Sequence, residues 1–522
     1  MHSAAQVFSA NLLAALSELE VQEVFLAPGS RSQSLAIAAQ QLHDANRLVL
    51  RVRIDERSMA FTALGAAKAS GRPVAIITTS GTAVANMLPA VLEASHSGVP
   101  LILLTADRPA ELRGVGANQT TNQVGIFGDA VRSCIDIEAP TDPVDTNFVK
   151  EIAEKSVATA LGINNEFPGP VHLNLCFREP LSAAEPNASD LYPGARLSEQ
   201  DNYQPRFAVL TGEKNTILVA GAEAGVEALE AGEAFGWPVF AEPSSRCRIG
   251  ANAIIGYPSL LEEEKDLADS IQRVVVYGKP TLSRQVQKLI ARKDIELVVI
   301  KSKLMGPFNP YGNAAEIVDE ITVNGEVSND WLARWRVAAH NWLSVQETSK
   351  SLDRRNIIET VYDVSEIDDT IVLGASRMIR EADTWAPAKA IQVFANRGLA
   401  GIDGTIATAT GIALGGEGSF TRAIIGDLTL LHDASSMIED VEEDINLQLI
   451  MVNDQGGSLF EKLEVRNVVE EAVFDRVFRT GQKVDYWSLA NAYGFSYLCP
   501  TNEVELRSAL TTIGRVLIEI KL

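Results

Sequence analysis

Short apolar runs recur along the chain, and many of them stop at a polar or glycine-rich turn. Wholly apolar runs of this length, bounded by Gly, are typical of buried parallel strands rather than half-exposed ones. Amphipathic or Ala-rich segments of helical length separate many of these runs. Strand, turn and helix repeated in this way predict an α/β fold built from doubly wound parallel sheets.

The pattern predicts three such α/β domains, joined by one linker. The predicted domains are residues 1–184, 206–345 and 351–522. Residues 185–205 are rich in Pro, Ala, Ser and Asn and lack periodicity, which indicates the linker. The predicted strands lie at 24–27, 48–54, 74–78, 100–104, 169–174, 216–220, 239–241, 274–277, 296–300, 370–373, 391–395, 423–425 and 447–452. The predicted helices include an amphipathic first helix and segments 58–70, 331–345, 354–364 and 432–445.

Two carboxylates follow neighbouring runs of the third predicted domain. Asp427 follows the run at 423–425 and Asp454 follows the run at 447–452, with Gly426, Gly456 and Gly457 beside them. A helix over 432–445 would be the crossover that makes these two strands parallel neighbours, so both side chains would meet at one sheet edge. Two such carboxylates suit a hard divalent cation, although either Asp alone is also typical of a turn or helix cap.

Composition removes several classes of function. The chain has 522 residues, 46% hydrophobic residues, 22% charged residues and a net charge of −23, which argues against nucleic acid or an anionic membrane surface as partner. Its four cysteines are widely spaced and form no CxxC pair, which favours a reducing cytoplasm over a disulfide framework. The N-terminus lacks the features of a signal peptide, and the longest apolar run, 99–104, is too short for membrane insertion.

Charged side chains mark the turns that follow the predicted strands. Glu56 opens a helix and is followed by apolar residues; it is either ordinary helix N-terminal chemistry or a carboxyl whose pKa is raised so that it shares a proton with a ligand. Arginines also sit after strands or Gly turns, at 31, 108, 380 and 397. Such arginines are usually surface ion pairs, but in so acidic a chain they suggest a substrate with two or more carboxylates. The turn at 221–225 (GAEAG) lacks full GxGxxG spacing, so a structural role is favoured over a nucleotide site.

Taken together, these motifs resemble the thiamin diphosphate-dependent enzymes. The stretch from Gly426-Asp427 to Asn453-Asp454 is similar to that family's cofactor motif, with Leu428 where Gly is usual and Asp454 where Asn is common. Further strings narrow the resemblance to the branch that serves menaquinone synthesis: APGSRS (27–32), DER (55–57), TSGTAVAN (79–86), LLTADRP (103–109), GANQ (116–119), NRG…GIDG (396–404) and VND-x-GG-x-x-F (452–460). The resemblance is strong in the first and third predicted domains and weak in the middle one.

The resemblance implies a cofactor, a metal and a set of site residues. It implies thiamin diphosphate with Mg²⁺, or Mn²⁺ in its place, held by Asp427, Asp454 and Gly456. It implies that Glu56 of one subunit protonates the aminopyrimidine of a cofactor held by the partner, in a homo-oligomer whose active sites lie at the subunit interface. The implied catalytic residues are Ser30, Arg31, Glu56 and Arg397. The implied cofactor contacts are Pro28, Glu56, Thr79, Asn118, Ser376, Ile402, Gly426, Asp427, Leu428, Asp454, Leu459 and Phe460. The implied substrate contacts are Ser30, Arg31, Arg108, Asn118, Gln119, Arg284, Ser376, Arg380 and Arg397.

The expected reaction is decarboxylation of 2-oxoglutarate followed by conjugate addition to isochorismate, both of them small dicarboxylates. One alternative is another thiamin-dependent 2-oxoacid decarboxylase or an acetolactate-type synthase. A second, from a different class, is a non-catalytic nucleotide-binding regulatory protein on the same fold.

Overall fold

The computed structural model describes residues 3–163, 167–183, 186–198, 204–346, 349, 351–416, 419–438 and 443–522. The chain divides into two compact units. Unit 1 comprises Met1–Tyr203, Arg397–Glu417 and Asp433–Asp444, and unit 2 comprises Gln204–Asn396, Gly418–His432 and Ile445–Leu522. The three-domain division at residues 184, 206, 345 and 351 stays a prediction.

The strands, in chain order, are β1 (Glu23–Leu26), β2 (Val49–Val52), β3 (Val74–Thr78), β4 (Leu101–Asp107), β5 (Ser133–Ile137), β6 (Val171–Cys176), β7 (Phe207–Thr211), β8 (Thr216–Ala220), β9 (Val239–Ala241), β10 (Arg273–Tyr277), β11 (Glu296–Ile300), β12 (Glu316–Val318), β13 (Glu320–Asn324), β14 (Thr370–Leu373), β15 (Gln392–Phe394), β16 (Phe420–Gly426), β17 (Asn446–Asn453), β18 (Ser496–Leu498) and β19 (Arg515–Lys521).

The α-helices, in chain order, are α1 (Ala4–Glu18), α2 (Gln33–Asp44), α3 (Glu56–Ser70), α4 (Thr82–Asn86), α5 (Leu88–Ser97), α6 (Thr146–Ala160), α7 (Val226–Ala234), α8 (Tyr257–Glu263), α9 (Lys265–Asp269), α10 (Arg284–Ile290), α11 (Asn329–Ser344), α12 (Arg354–Val364), α13 (Arg377–Trp385), α14 (Thr405–Ala413), α15 (Asp427–His432), α16 (Glu471–Phe474), α17 (Tyr486–Ala492) and α18 (Glu503–Ala509).

Two of the sheets share one topology. In unit 1 the strand order is β2-β1-β3-β4-β6-β5, and in unit 2 it is β15-β14-β16-β17-β19-β18, with neighbouring strands parallel in both. Counted from the first strand of each sheet, both orders read 2-1-3-4-6-5. This confirms the predicted α/β fold class with parallel sheets. In each sheet the chain changes direction of winding between strands 1 and 3, and ligands of such sheets bind outside the strand ends at that point.

The middle sheet has the parallel order β12-β11-β10-β8-β9, so its own reversal point lies between β8 and β10. Backbone fills that point: Ala222 and Lys279 form an antiparallel bridge. A Cβ on Gly221 would lie 2.0 Å from the backbone nitrogen of Pro280. No room remains there for a diphosphate, which agrees with a structural role for the GAEAG turn. A separate parallel pair joins β7 and β13.

The predicted crossover helix at 432–445 is wrong. The helix α15 begins at Asp427 and ends at His432, and only a short 3₁₀ turn, Ala434–Met437, follows it; residues 439–442 lie outside the described part of the chain. The physical reason is at Asp433, whose carboxylate accepts hydrogen bonds from the backbone of α14 in unit 1. The acidic run that follows Asp433 also disfavours one continuous helix, because like charges repel along a helix face.

The described part of the predicted linker, residues 186–198 and 204–205, has a 3₁₀ turn at Ala188–Asp190 and otherwise irregular backbone. Residues 186–198 are part of unit 1, where Ala188 and Ala195 join the hydrophobic core and Arg47 donates to the Leu191 carbonyl at 2.7 Å. Residues 185 and 199–203 of the prediction fall outside the described residues. Among the helices that the structure describes, none combines the length and apolar character needed to cross a bilayer.

Candidate active site

Asp427 and Asp454 follow adjacent strands of unit 2. Strands β16 and β17 pair in parallel, with Gly426 opposite Val452, so the two carboxylates come one and two residues past that pair. Asp427 is 2% exposed and opens α15, where its Oδ1 accepts the N–H of Leu428 at 2.8 Å. Burial, and then the charge of Asp454, raise the pKa of Asp427 to about 6. A cation between the two carboxylates would relieve both effects.

The turn after Asp454 is built around Gly456. Its φ is +124°, and a Cβ would lie 2.1 Å from the Arg479 carbonyl oxygen, so only glycine fits. The backbone N–H of Gly456 lies near enough to the Asp427 carboxylate to lower its pKa, which places this turn beside Asp427. The Gly456 carbonyl accepts the N–H of Ser458 at 2.8 Å and has a second lone pair for another partner.

This edge of unit 2 fits a magnesium diphosphate. The donor set consists of two carboxylates and a backbone carbonyl, which are the hard oxygen ligands that Mg²⁺ takes while phosphate oxygens complete its shell. Gly426 faces open space, since a Cβ there would meet no heavy atom within 4 Å. In the described ranges, no group of three or more His, Cys, Asp and Glu side chains could hold a metal. A cation here would therefore need oxygens from the backbone or the ligand.

The predicted contacts at the neighbouring strand end lie on α13 and α10. Ser376 follows β14 with φ +89° and ψ −131°, a backbone conformation that is costly for a residue with a side chain and that clusters at functional sites. Arg380, on the next turn of α13, donates to the Leu282 carbonyl at 2.7 Å, which brings it to the start of α10. Arg284 opens α10 but is exposed and pairs with the exposed Glu464 at 3.3 Å, so its role stays a prediction.

The predicted apolar wall follows the Gly456 turn. Leu428, Leu459 and Phe460 are each half-buried. The Phe460 ring packs on Gly457, where a Cβ would lie 2.9 Å from it, and on Phe478 with ring centroids 5.6 Å apart. Partly exposed apolar side chains at a strand-end crevice are suited to contact with the apolar part of a ligand.

In unit 1, the turns after β1 and β3 meet at the reversal point of the sheet. A Cβ on Gly29 would lie 2.2 Å from the Cβ of Thr79, so the turn that carries Pro28 and Ser30 rests directly on the turn after β3. Ser30 and Pro28 are exposed there, while Thr79 is buried. The predicted residues Pro28, Ser30 and Thr79 are therefore neighbours.

Two arginines lie close together beside these turns. Arg108 is buried and donates from Nη1 to Ser80 Oγ at 2.6 Å and to the Gln119 carbonyl at 2.7 Å. Arg31 donates to the Phe177 carbonyl at 3.3 Å. Burial and then the charge of Arg108 lower the pKa of Arg31. Two like charges held near each other favour a bound anion, and guanidinium groups suit carboxylates, so the substrate contacts predicted for Arg31 and Arg108 stay a prediction that this placement supports.

The segment 114–120 supplies the remaining contacts of this cluster. Gln119 has φ +55°, and its Nε2 donates to the Ser80 carbonyl at 3.0 Å. Asn118 is exposed, and its carbonyl accepts from Thr120 Oγ1 at 3.3 Å. Gln119 thus lies with Arg108 and Ser80, whereas the contact predicted for Asn118 stays a prediction.

Glu56 is the first residue of α3 and is half-buried. Its neighbours point elsewhere: Asp55 caps the helix by accepting the N–H groups of Arg57 and Ser58, and Arg57 pairs with Asp433 at 2.9 Å. The Glu56 carboxylate lies 3.4 Å from Asn86 Nδ2. The apolar residues that follow it, Met59, Ala60, Phe61 and Ala63, are buried in the core of unit 1. These four side chains face the core of unit 1, so any apolar environment of the Glu56 carboxyl is formed by other residues.

Arg397 and Ile402 lie on the segment that leads into α14. Arg397 is 7% exposed, and Ile402 is half-buried. The Ile402 carbonyl accepts from Thr405 Oγ1 at 3.0 Å, which ties it to the first turn of the helix.

Sequence reasoning missed a buried polar network beneath the arginine cluster. Gln123 accepts the N–H of Gly81 at 3.0 Å and donates to Asn174 Oδ1 at 2.9 Å, and Asn174 donates to Asp107 Oδ2 at 3.1 Å. Asp107 in turn accepts the N–H of Arg108 at 2.7 Å. The available signal was Asp107 at the end of β4 and Asn174 within β6, two mainly apolar strands in which a buried polar side chain needs a partner.

The chain matches two domain models of one enzyme family. Residues 7–126 match the thiamine pyrophosphate enzyme, N-terminal TPP binding domain, and residues 376–520 match the C-terminal TPP binding domain. Glu56 and the arginine cluster of unit 1 lie in the first match, and Asp427, Asp454, Arg397 and Ile402 lie in the second.

Curated relatives match nearly the whole chain. The 2-succinyl-5-enolpyruvyl-6-hydroxy-3-cyclohexene-1-carboxylate synthase of Leifsonia xyli subsp. xyli is 39% identical over 98% of this chain and 95% of its own length. A relative of the same name from Arthrobacter sp. is 41% identical to this chain, over 96% of this chain and 86% of its own length. The synthase of the same name from Kineococcus radiotolerans is 40% identical, over 98% of this chain and 94% of its own length.

Proposed function

Because this chain belongs to the thiamin diphosphate-dependent 2-succinyl-5-enolpyruvyl-6-hydroxy-3-cyclohexene-1-carboxylate synthase family, we propose that it performs that synthesis in the menaquinone pathway. The reaction joins 2-oxoglutarate to isochorismate with loss of carbon dioxide. The observation that carries the proposal is the juxtaposition of Asp427, Asp454 and the Gly456 turn at the carboxyl edge of the unit 2 sheet. This is the arrangement of oxygen donors that a magnesium diphosphate requires.

Asp427, Asp454 and the Gly456 carbonyl would hold Mg²⁺, or Mn²⁺, on the diphosphate. When bound, thiamin diphosphate would supply a nucleophilic carbon and an electron sink for decarboxylation of the 2-oxoacid. Leu459 and Phe460 would exclude water from the reacting carbon, and Ile402 would support the cofactor from its α14 segment.

Glu56 would supply and withdraw a proton at the pyrimidine ring of the cofactor. Its own apolar neighbours are buried within unit 1, so we propose that the surface of a second subunit encloses its carboxyl. The working protein would then be a homo-oligomer whose active sites lie between subunits, and the cytoplasm is its expected location. Enclosure of this kind would exclude water from the contact between the Glu56 carboxyl and a ring nitrogen of the cofactor.

The arginines would bind the carboxylates of both substrates. Arg31 and Arg108 lie together with Ser30, Ser80 and Gln119 around one turn cluster, and each substrate carries two carboxylates. An anion placed between the two guanidinium groups removes their mutual repulsion, and Arg forks bind carboxylates through two hydrogen bonds. Further candidates for contacts with the substrates are Asn118, Arg284, Ser376, Arg380 and Arg397.

The test is an assay of the purified full chain with thiamin diphosphate, Mg²⁺, 2-oxoglutarate and isochorismate, in which the product is identified by mass. The expected mass is the sum of both substrates less carbon dioxide. Release of carbon dioxide from pyruvate but not from 2-oxoglutarate would instead identify an acetolactate-type enzyme. Calorimetry that detects no Mg²⁺-dependent binding of thiamin diphosphate would identify a non-catalytic protein.

A further inference from the structure

Buried carboxylates hold both ends of the segment that carries Arg397 and Ile402. At its start, Glu93 of α5 accepts the backbone N–H groups of Gly398 and Leu399, both at 2.7 Å. Glu93 is 4% exposed and also accepts a hydrogen bond from Ser97 Oγ at 3.0 Å. A carboxylate that accepts two backbone N–H groups at this distance makes charge-assisted bonds, which are stronger than those of a neutral acceptor.

At the other end, Asp433 takes the place of a helix cap. It is fully buried and accepts the N–H groups of Ile406 and Ala407, in the first turn of α14, at 2.8 and 3.1 Å. The residue in the N-cap position is Gly404, which has no side chain and therefore leaves these donors to another group. Asp433 supplies the missing acceptor from elsewhere in unit 1.

The reason for glycine at 404 is the neighbouring helix. Gly404 has φ +57°, and a Cβ there would lie 2.0 Å from the ring of Phe61, on α3. No capping side chain can be accommodated at this position, so the cap must come from Asp433. Arg57, next to Glu56 on α3, completes the arrangement through its ion pair with Asp433 at 2.9 Å.

The segment between these anchors has an unfavourable backbone. Ala400 adopts φ +58°, which costs free energy for a residue with a Cβ. Without anchors, residues 398–406 would be free to relax toward a less strained loop. Burial of two carboxylates costs desolvation free energy. Their use to fix this loop is explained if the positions of the loop's side chains matter for function.

We propose that Glu93 and Asp433 are positioning residues of the active site: Glu93 fixes the place of Arg397, and Asp433 fixes that of Ile402 and, through Arg57, the start of the Glu56 helix. Neither residue needs to touch substrate or cofactor. The inference rests on the proposed function, because it concerns the binding roles given there to Arg397 and Ile402.

The experiment compares Glu93→Gln and Asp433→Asn with the wild-type chain and with Asp369→Asn as matched control. Asp369 is also a buried carboxylate that accepts two backbone N–H groups, those of Glu366 and Phe420, both at 2.9 Å, but it lies at the amino end of β14. All variants are assayed for melting temperature, hydrogen exchange of the 397–407 peptide, thiamin diphosphate affinity, KM and kcat.

We expect exchange in the 397–407 peptide to be about tenfold faster in both test variants and unchanged in Asp369→Asn. Glu93→Gln should raise the KM for 2-oxoglutarate about tenfold with little change in cofactor affinity. Asp433→Asn should weaken thiamin diphosphate binding about tenfold. Asp369→Asn should lower the melting temperature without either kinetic effect, which separates positioning from general stability.

The proposal is overturned if both test variants match Asp369→Asn in KM and cofactor affinity, or if exchange in the 397–407 peptide does not change. A test variant that does not fold is replaced by Ser97→Ala or Ser436→Ala, which remove one neutral hydrogen bond from Glu93 or Asp433 and should give the same effects in smaller size. Absence of synthase activity in the wild-type chain would refute the proposed function instead. The exchange measurement would still test the anchoring.

Discussion

Asp427 and Asp454 lie one strand apart at the carboxyl edge of a parallel sheet, and the charge of Asp454 adds to the burial that raises the pKa of Asp427 to about 6. The two acids differ in their surroundings. Asp427 is 2% exposed, whereas Asp454 is half-buried and pairs with Arg354 at 2.5 Å. Among the residues that the structure describes, no Lys or Arg forms an ion pair with Asp427, so a metal bound there would relieve more unfavourable charge burial than one bound at Asp454 alone.

The first prediction compares the two acids directly. Asp427→Asn should lower the Mg²⁺-dependent affinity for thiamin diphosphate by at least about a hundredfold, because a neutral amide cannot replace the charge of a buried ligand. Asp454→Asn should lower it by less than about tenfold, since the amide keeps an oxygen donor. Calorimetry with and without Mg²⁺ gives both values, and equal losses in the two variants would contradict this assignment.

The second prediction concerns Glu56. Glu56→Gln should leave the melting temperature within a few degrees of wild type and lower kcat by about 10²–10⁴, the usual range for loss of a proton-transferring group. Exposed Glu262, changed to Gln, is the control and should keep full activity. Normal turnover in Glu56→Gln would exclude the proton-transfer role.

The third prediction concerns the arginine pair. Arg31→Lys and Arg108→Lys should each raise the KM for a dicarboxylate substrate about 10–100-fold, because Lys keeps the charge but cannot form the forked pair of hydrogen bonds. Arg292→Lys is the control, since Arg292 forms an exposed ion pair with Asp294 and should leave KM unchanged. Substrate titration at saturating cofactor measures each value. A KM within twofold of wild type in both test variants would remove the pair from the substrate site.

Parts of this architecture follow from local pattern, and parts do not. The apolar run at Val74–Thr78 predicts its strand to the residue, because a central parallel strand is buried on both faces. β19 (Arg515–Lys521) is not recognisable in this way, since Glu519, 3% exposed, interrupts its apolar run. That carboxylate is accepted in the core because Asn453 donates to it at 2.6 Å, from the neighbouring strand.

The positioning residues Glu93 and Asp433 could not be predicted from the sequence, because their partners are also distant in the chain. Glu93 accepts a hydrogen bond from the backbone of Gly398, 305 residues away. Every residue except proline has a backbone N–H group, so the sequence does not indicate which one Glu93 contacts. From the sequence alone, Asp433 cannot be distinguished from an ordinary acidic residue near a helix end. By contrast, Asp427, Asp454 and Arg108 each come shortly after an apolar run, so the topology of its own sheet places each of them at a strand end.

The fourth prediction concerns the contact between α3 and α14. A Cβ on Gly65 would lie 2.1 Å from the Thr408 carbonyl oxygen, and a Cβ on Gly411 would lie 2.0 Å from the Thr62 carbonyl oxygen. Gly65→Ala and Gly411→Ala should each lower the free energy of unfolding by about 1–3 kcal/mol, because neither backbone can withdraw. Gly415→Ala, whose nearest atom would be 3.6 Å away, is the control. Denaturant titration measures the three values, and equal stability of all three variants would contradict the close packing.

The last prediction concerns pH and His172. This side chain is fully buried, with Nε2 2.7 Å from Thr105 Oγ1, Nδ1 3.4 Å from Cys134 Sγ and the Phe127 ring at 5.0 Å. Burial lowers the pKa of His172 to about 4, against the opposing charge of Asp136, while its usual value is 6.5. The unfolded chain therefore binds a proton between these values that the folded chain does not bind.

Stability from His172 is fully present above pH 6.5 and is lost as the pH falls toward 4. The loss attributable to this group should reach about 2 kcal/mol at pH 5. His172→Gln keeps a polar group near Thr105 but cannot titrate, so its free energy of unfolding should fall less steeply between pH 7.5 and 5. His96→Gln, on the exposed face of α5, should keep the wild-type slope. Urea titrations at pH 7.5, 6 and 5 give the three slopes, and a His172→Gln slope equal to wild type would show that the buried imidazole is not the group responsible.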